Sequence, residues 1–544
     1  MKVAAGTSIL KGIAIGTIRV YHKEETRTSR LSHLTPEQEL SRFQAAQRAA
    51  QKQLEELYTR ALETVGERDA AIFEIHQMML EDEDYVGAVR EALSTQGVTA
   101  EYAVQAAGER FSAAFSALED PYLQVRAADV RDVSRRVVDL LTGAAPGGPE
   151  GEEPFILAAD DLTPSETVQL DRSRLLGFLT RHGSPTSHTA ILARTMGIPA
   201  LVGVDFDDSW DGHTAILDGY HSCVYVDPGE ELLSAMEARR RAHVQRAALL
   251  QGLRGQPSVT LDGTRTAVCA NIGGEEDLEA ALQNDAEGVG LFRSEFLYLN
   301  RKDFPSEEDQ FQVYRRTAAA MDGKRVVIRT LDIGSDKRAD YFGLEPEENP
   351  ALGYRAIRIC LTRPEIFRQQ LRAILRASAY GNAAVMFPMI TALREVQEAK
   401  ALLNACREEL KREGVPAGPL EVGVMIETPA AVMIADELAR EVDFFSLGTN
   451  DLTQYTLAVD RRNPKLGRFF DPYHPAVLRM LKMAVEAAHR HGCWVGLCGE
   501  LGADPSLTET FLRMGVDELS VSPTAILPLR KRIRGLDLSR REGP

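Results

Sequence analysis

Thr186, Ser187 and His188 stand directly ahead of an apolar run that continues to Arg194 (TSHTAILAR). Thr186 or Ser187 can cap a helix beginning near Thr189. A residue at that point lies beside free backbone N–H groups and the positive end of the helix dipole, a setting that suits an anion. Neutral imidazole is a competent nucleophile, so a phosphoryl group carried on His188 would be stabilised there. The competing reading is that His188, one of 11 histidines, is an ordinary surface or structural residue. A second set of reactive side chains falls at the ends of strand-like runs in the second half of the chain. Arg293 closes GVGLFR and Arg329 closes VVIR, with Asp332 three residues on. Glu427 follows VGVMI, Asn450 and Asp451 follow FFSLGT, and Cys498 and Glu500 follow WVGL. Two arginines on adjacent strands can grip a carboxylate or phosphate bidentately. Glu427 and Asp451, on neighbouring units, can share one hard cation, since Mg²⁺ uses one or two carboxylates and completes its shell with substrate oxygens and water. Cys498 reads either as a proton donor or as a buried, inert core cysteine. Charges at run ends can be plain solvated loop residues. Recurring at most of the ends, they describe instead a site for a small phosphorylated carboxylate.

The elements that must hold these residues follow from periodicity. AVCANIGG, GVGLFRSEF, VVIRTLDIG, AVMFPMI, VGVMIETP, FFSLGTNDL, WVGLCGE and ELSVSP alternate with helical stretches. That is about eight βα units in about 270 residues, the size of a (β/α)₈ barrel, whose functional side chains lie at the carboxyl ends of its strands. At the other end of the chain, GIAIGTIRVY alternates like a strand. From Thr35 the pattern turns helical, with Thr35 as cap and Pro36 in the first turn. Leu40, Phe43, Ala46, Ala50, Leu54, Leu57 and Ala61 then recur at three- and four-residue steps, and more helical stretches follow to Gly143. Ala144–Glu153 (AAPGGPEGEE) is a flexible connector by composition. Beyond it PFILAAD, LLGFLT, PALVGV and CVYVD read as strands. The simplest assembly returns the first strands to this sheet and makes the helices an insertion. The expected domains are therefore an α/β domain of residues 1–24 and 144–229, an inserted helical bundle of 25–143, a helical linker of 230–257 and a barrel of 258–544.

Composition narrows the function classes. The formal net charge of −17 disfavours general nucleic-acid or anionic-membrane binding and suits a basic protein partner. No run reaches the length of a membrane-spanning helix, and the first residues, interrupted by Lys11 and glycines, do not read as a signal peptide. The six cysteines are scattered without a CxxC pair, which points to a reducing cytoplasm rather than to a disulfide framework or zinc.

The blocks DLTPSET, TSHTAILAR with IPALVG, GVGLFRSEFL, IRTLDIGSDK, ENPALGYRAIRI, FRQQLRAILRAS, MFPMI, GVMIETPAA, VDFFSLGTNDLTQYTLAVDR and GLCGEL, in this order, resemble the enzyme I family of the bacterial phosphoenolpyruvate-dependent sugar phosphotransferase system. The resemblance runs from near Gly6 to near Arg534. It implies that His188 is the phosphorylated histidine, reacting through Nε2. It implies that Arg293, Arg329, Arg355 and Arg461 surround phosphoenolpyruvate, with Asn450 in the same motif. Glu427 and Asp451 match Mg²⁺ ligands. Cys498 matches the residue that protonates the enolate carbon as pyruvate forms, and Thr167 and Arg194 match polar residues near the active histidine. The inserted bundle resembles the docking domain for HPr, the next phosphocarrier. Ala71–Leu80 (AIFEIHQMML) matches part of its surface, where Met78 and Met79 would make adaptable apolar contacts, although helical methionines are more often core. A homodimer through the barrel and a swing about the linker are implied as well. Two positions depart from the family: His182 replaces a glycine in RHGSPTSH, and Ser335 replaces one in DIGSDK. Two rivals are a phosphoenolpyruvate synthase or pyruvate phosphate dikinase-like enzyme, which would need a large nucleotide-binding domain, and a catalytically silent regulatory binding protein.

Overall fold

The computed structural model describes residues 1–21, 28–64, 67–118, 121–143, 153–163, 166, 170, 174–182, 193, 197–299, 301–335 and 339–540. Two compact units divide the chain, Met1–Gln245 and Arg246–Pro544.

In the first unit, β1 (Lys2–Ala5), β2 (Thr7–Leu10), β3 (Ile13–Tyr21), β4 (Phe155–Ala159), β5 (Leu175–Thr180), β6 (Ala200–Val202), β7 (Thr214–Asp218) and β8 (Cys223–Val226) form one sheet, ordered β1-β8-β7-β3-β4-β5-β6-β2. Its centre, β3-β4-β5-β6, is parallel, while β7, β8 and β1 on one side and β2 at the opposite edge pair antiparallel. The central strands are nearly continuous in apolar residues because both faces are covered; all five residues of β4 are buried. Helices α1 (Pro36–Thr64), α2 (Glu67–Glu81), α3 (Glu83–Gln96), α4 (Ala100–Ser116) and α5 (Pro121–Thr142) lie between β3 and β4 in the chain. The first strands thus return to the sheet, and the helices are the insertion.

Local signals explain these helices. Thr35 Oγ1 accepts the Gln38 N–H at 3.3 Å and Gln38 Oε1 accepts the Thr35 N–H at 3.0 Å, a reciprocal cap. Asp82 caps α3 and Thr99 caps α4 through side-chain acceptors. Of the apolar stripe on α1, Phe43, Ala46, Ala50, Leu54, Leu57 and Ala61 are buried in the bundle core and Leu40 packs against it. A helix α6 (Glu230–Gln251) follows the sheet. No described helix is long and apolar enough to cross a membrane.

The second unit is a closed, all-parallel barrel of β9 (Ala267–Ile272), β10 (Val289–Arg293), β11 (Val326–Arg329), β12 (Ala383–Phe387), β13 (Glu421–Ile426), β14 (Phe444–Leu447), β15 (Trp494–Leu497) and β16 (Glu518–Val521). Its interior is filled by Leu291, Val327, Ala384, Met386, Met425 and Phe444, and a larger apolar layer packs between strands and outer helices. These are the eight runs read from the sequence, in the same order.

Candidate active site

Side chains alternate along a strand, so the residue two beyond a barrel-filling residue faces the barrel mouth. Leu291, Val327 and Met425 fill the interior. Arg293, Arg329 and Glu427 stand one step above them, and β10 and β11 pair with Arg293 directly beside Arg329. The mouth opens into a cavity of about 1150 Å³ whose lining includes Arg293, Arg329, Arg355, Glu427, Asn450, Asp451, Arg461 and Cys498. Eight residues from the carboxyl ends of five barrel strands and the segments that follow them therefore share one concave site.

The arginines are held by the protein's own carboxylates. Arg329 Nη2 pairs with Glu295, and Nη1 lies 3.3 Å from Asp332 Oδ2. Asp332 Oδ1 accepts from Arg355 Nε at 3.2 Å and Nη2 at 2.7 Å. Burial opposes the charge of Arg329, but Glu295, Asp332 and Glu427 outweigh it and raise its pKa. Arg355 is likewise raised, by Asp332 against burial. Both guanidinium groups are fixed in place as permanent cations, ready for an anion without reorganisation. Arg461 Nη2 lies 3.7 Å from Asp451 Oδ1, and Asn450 Nδ2 donates to Glu500 Oε1 at 3.0 Å.

Glu427 is only 1% exposed, and its Oε1 accepts the Met389 N–H at 2.6 Å. Gly448 lets the next loop close over it, since a Cβ there would meet Glu427 Cβ at 2.8 Å. Burial first, then the charges of Asp451 and Asp332, push the Glu427 carboxyl up to about 8. A cation shared with Asp451 would relieve that repulsion, so the pair suits a divalent metal ion completed by substrate oxygens and water. Among the described residues, no group of three or more His, Cys, Asp or Glu could hold a metal by itself.

Burial pushes the Cys498 thiol up to about 11, with the Ser446 hydrogen bond and Arg329 opposing the rise. Ser446 Oγ donates to Cys498 Sγ at 3.2 Å. The thiol is thus a proton-bearing group in the cavity lining, with a hydroxyl that donates to its sulfur.

Sequence reasoning missed Glu295, Ser446, Gln454 and Tyr455. Glu295 lies two residues beyond Arg293, and Ser446 sits at the inward step above Phe444, which was the signal available. His188, Thr167 and Arg194 lie outside the described residues. His182 follows β5, with its N–H bonded to Asp160 O at 2.9 Å and its carbonyl accepting Thr180 Oγ1 at 2.6 Å. On α2, Met78 is 70% exposed, whereas Met79 packs partly buried against the bundle core.

A parallel barrel with arginines, paired carboxylates and a thiol at its carboxyl end defines an enzyme of the class that acts on small phosphorylated carboxylates. Three family models match the chain: "PEP-utilising enzyme, N-terminal" over residues 5–126, "PEP-utilising enzyme, mobile domain" over 151–222 and "PEP-utilising enzyme, PEP-binding domain" over 247–538. The phosphoenolpyruvate-protein phosphotransferase of Bacillus sp. (strain S) is 43% identical over 98% of this chain and 93% of its own length. That of Bacillus subtilis is 42% identical over 98% and 95%. A solution structure titled for Enzyme I (nEIt) matches 44% of this chain and 99% of its own, at 33% identity and a TM-score of 0.39. The chain belongs to the phosphoenolpyruvate-utilising enzyme family.

Proposed function

We propose that this chain is a phosphoenolpyruvate–protein phosphotransferase, moving the phosphoryl group of phosphoenolpyruvate onto His188 and then to a histidine of HPr, the first step of a sugar phosphotransferase system. The observation that carries the reading is the barrel mouth, where Arg329 and Arg355 are held as oriented cations beside Glu427, Asp451 and a protonated thiol. Arg293, Arg329, Arg355 and Arg461 would bind phosphate and carboxylate, with Asn450 alongside. His188 Nε2 attacks phosphorus, the bond to the enolate oxygen breaks, and Cys498 Sγ delivers a proton to the enolate carbon to give pyruvate. Glu427 and Asp451 would hold Mg²⁺, which when bound supplies positive charge against the phosphoryl oxygens. In the second transfer the HPr histidine takes the phosphoryl group and leaves His188 free; we assign Thr167 and Arg194 to support of that histidine. We assign HPr docking to the inserted bundle, with Met78 in contact, and pairing of two chains to the barrel.

The test is incubation with labelled phosphoenolpyruvate and Mg²⁺ followed by peptide mapping of acid-labile phosphate. His188→Ala should carry no label and His182→Ala should keep most of it. Label persisting on folded His188→Ala protein would reject the assignment.

A further inference from the structure

Ser335 stands where the resembled family has a glycine, and its hydroxyl has a partner. Ser335 Oγ donates to Glu347 Oε2 at 3.4 Å. The other contacts of that carboxylate lie across the same loop: the Tyr354 N–H donates to Oε1 at 2.9 Å and to Oε2 at 3.1 Å. The fit leaves no room for a side chain at residue 353, since a Cβ on Gly353 would overlap the Glu347 carboxylate. One carboxylate therefore ties the segment leaving β11 to the segment that returns ahead of Arg355. Glu347 does not line the cavity, but Glu348, Asn349, Pro350, Ala351 and Leu352, which directly follow it, form part of its wall.

Three further contacts show how closely this loop is held. Arg358 Nη1 donates to the carbonyls of Leu352 and Gly353, each at 2.7 Å. Tyr455 OH donates to Ala351 O. Ala356, directly after Arg355, has φ +52°, a conformation that non-glycine residues keep only when surrounding contacts impose it.

We propose that Glu347 is a positioning residue for the barrel reaction: clamped by Ser335 and the Tyr354 N–H, it fixes the loop that delivers Arg355 to the cavity. Asp332 holds the guanidinium of Arg355, and Glu347 holds the backbone that carries it. Arg355 would then meet the substrate without the loop first having to order, and that ordering would otherwise weaken binding. The kinetic consequence rests on the proposed function; the structural one does not.

The experiment therefore has two arms. In the first, phenylglyoxal modification and peptide mapping compare Arg355 with Arg329 in the full chain, in Glu347→Gln and in Ser335→Ala. Glu347→Gln should speed modification of Arg355 by about tenfold and leave Arg329 unchanged, while Ser335→Ala should give about a twofold to threefold effect on Arg355. In the second arm, Glu347→Gln should raise KM for phosphoenolpyruvate by about tenfold with kcat little changed, the pattern of lost ground-state binding. Unchanged labelling of Arg355 in folded Glu347→Gln, or equal acceleration at both arginines, would overturn the proposal. Should Glu347→Gln fail to fold, Ser335→Ala decides, and an unaltered Arg355 rate in it overturns the clamp. A parent chain that phenylglyoxal labels as expected but phosphoenolpyruvate does not label refutes the proposed function and leaves the clamp standing.

Discussion

Cys498 shows at the residue scale how burial selects a role. A thiol pushed up to about 11 by burial keeps its proton at neutral pH, as an acid must and a nucleophilic cysteine must not. Its alkylation by iodoacetamide should climb steadily with pH toward that value, and a plateau near neutrality, measured by mass mapping, would contradict the environment described. Cys498→Ala should slow pyruvate formation by about two to four orders of magnitude with little change in KM, because the proton is needed in the reaction and not in the bound state. Steady-state kinetics would separate the two, and a raised KM with unchanged turnover would rule out the acid role. Glu427→Gln should raise the Mg²⁺ concentration giving half-maximal labelling by phosphoenolpyruvate, because the amide offers a weaker ligand than the carboxylate. An unchanged Mg²⁺ requirement would move the metal elsewhere.

At the scale of elements, the floor of the barrel carries its own pH dependence. Glu518 begins β16 and is buried, and burial pushes its carboxyl up to about 7 although Arg325 opposes the shift. Arg325 Nη1 lies 3.8 Å from Glu518 Oε2, and its guanidinium covers Trp494, which stacks on Phe444 at 4.3 Å. A folded-state pKa above the unfolded value contributes stability below about 4.5 and loses it as pH rises through about 7. The contribution is about 3 kcal/mol at most. Glu518→Gln cannot ionise, so its barrel should lack this loss between those pH values. The chain has two tryptophans, so in a Trp210→Phe background urea unfolding can be followed by Trp494 fluorescence alone; equal pH profiles for the two barrels would refute the assignment. In the inserted bundle, Phe43 is fully buried, and Phe43→Ala should cost about 3–5 kcal/mol there while leaving the Trp494 transition where it was.

At the scale of the whole molecule, the proposed function gives the units Met1–Gln245 and Arg246–Pro544 separate tasks. The first unit contains the entire sheet and the inserted bundle, with hydrophobic cores of its own, so a fragment of residues 1–245 should fold alone. It keeps His188 and Met78 and lacks every cavity residue of the barrel. It should exchange phosphoryl reversibly with phospho-HPr and accept none from phosphoenolpyruvate, as acid-labile labelling of the fragment would report. Labelling of the folded fragment by phosphoenolpyruvate would remove the barrel from the reaction. Failure to accept from phospho-HPr would show that docking, or the activation of His188, depends on the second unit.

The order of elements was legible because period is a local property. Alternation marks strands and three- and four-residue spacing marks helices, so the stripe from Phe43 to Ala61 and the eight barrel strands could be read from side-chain type alone. The same alternation placed Arg293 and Arg329 at strand ends. Pairing is a different matter, because it joins residues far apart in the chain. That Asp332 would hold both Arg329 and Arg355, that Ser446 would reach the thiol of a residue 52 positions away, and that the hydroxyl of Ser335 would close on Glu347 all depend on barrel closure and loop path. Burial is equally invisible in sequence: nothing in ETP or CGE distinguishes a solvated carboxylate or thiol from one driven far from its ordinary pKa. Only the closed barrel removes water from Glu427 and Cys498, and that burial is the main cause that raises both; Asp451 and Asp332 add to the rise at Glu427, while Ser446 and Arg329 oppose it at Cys498.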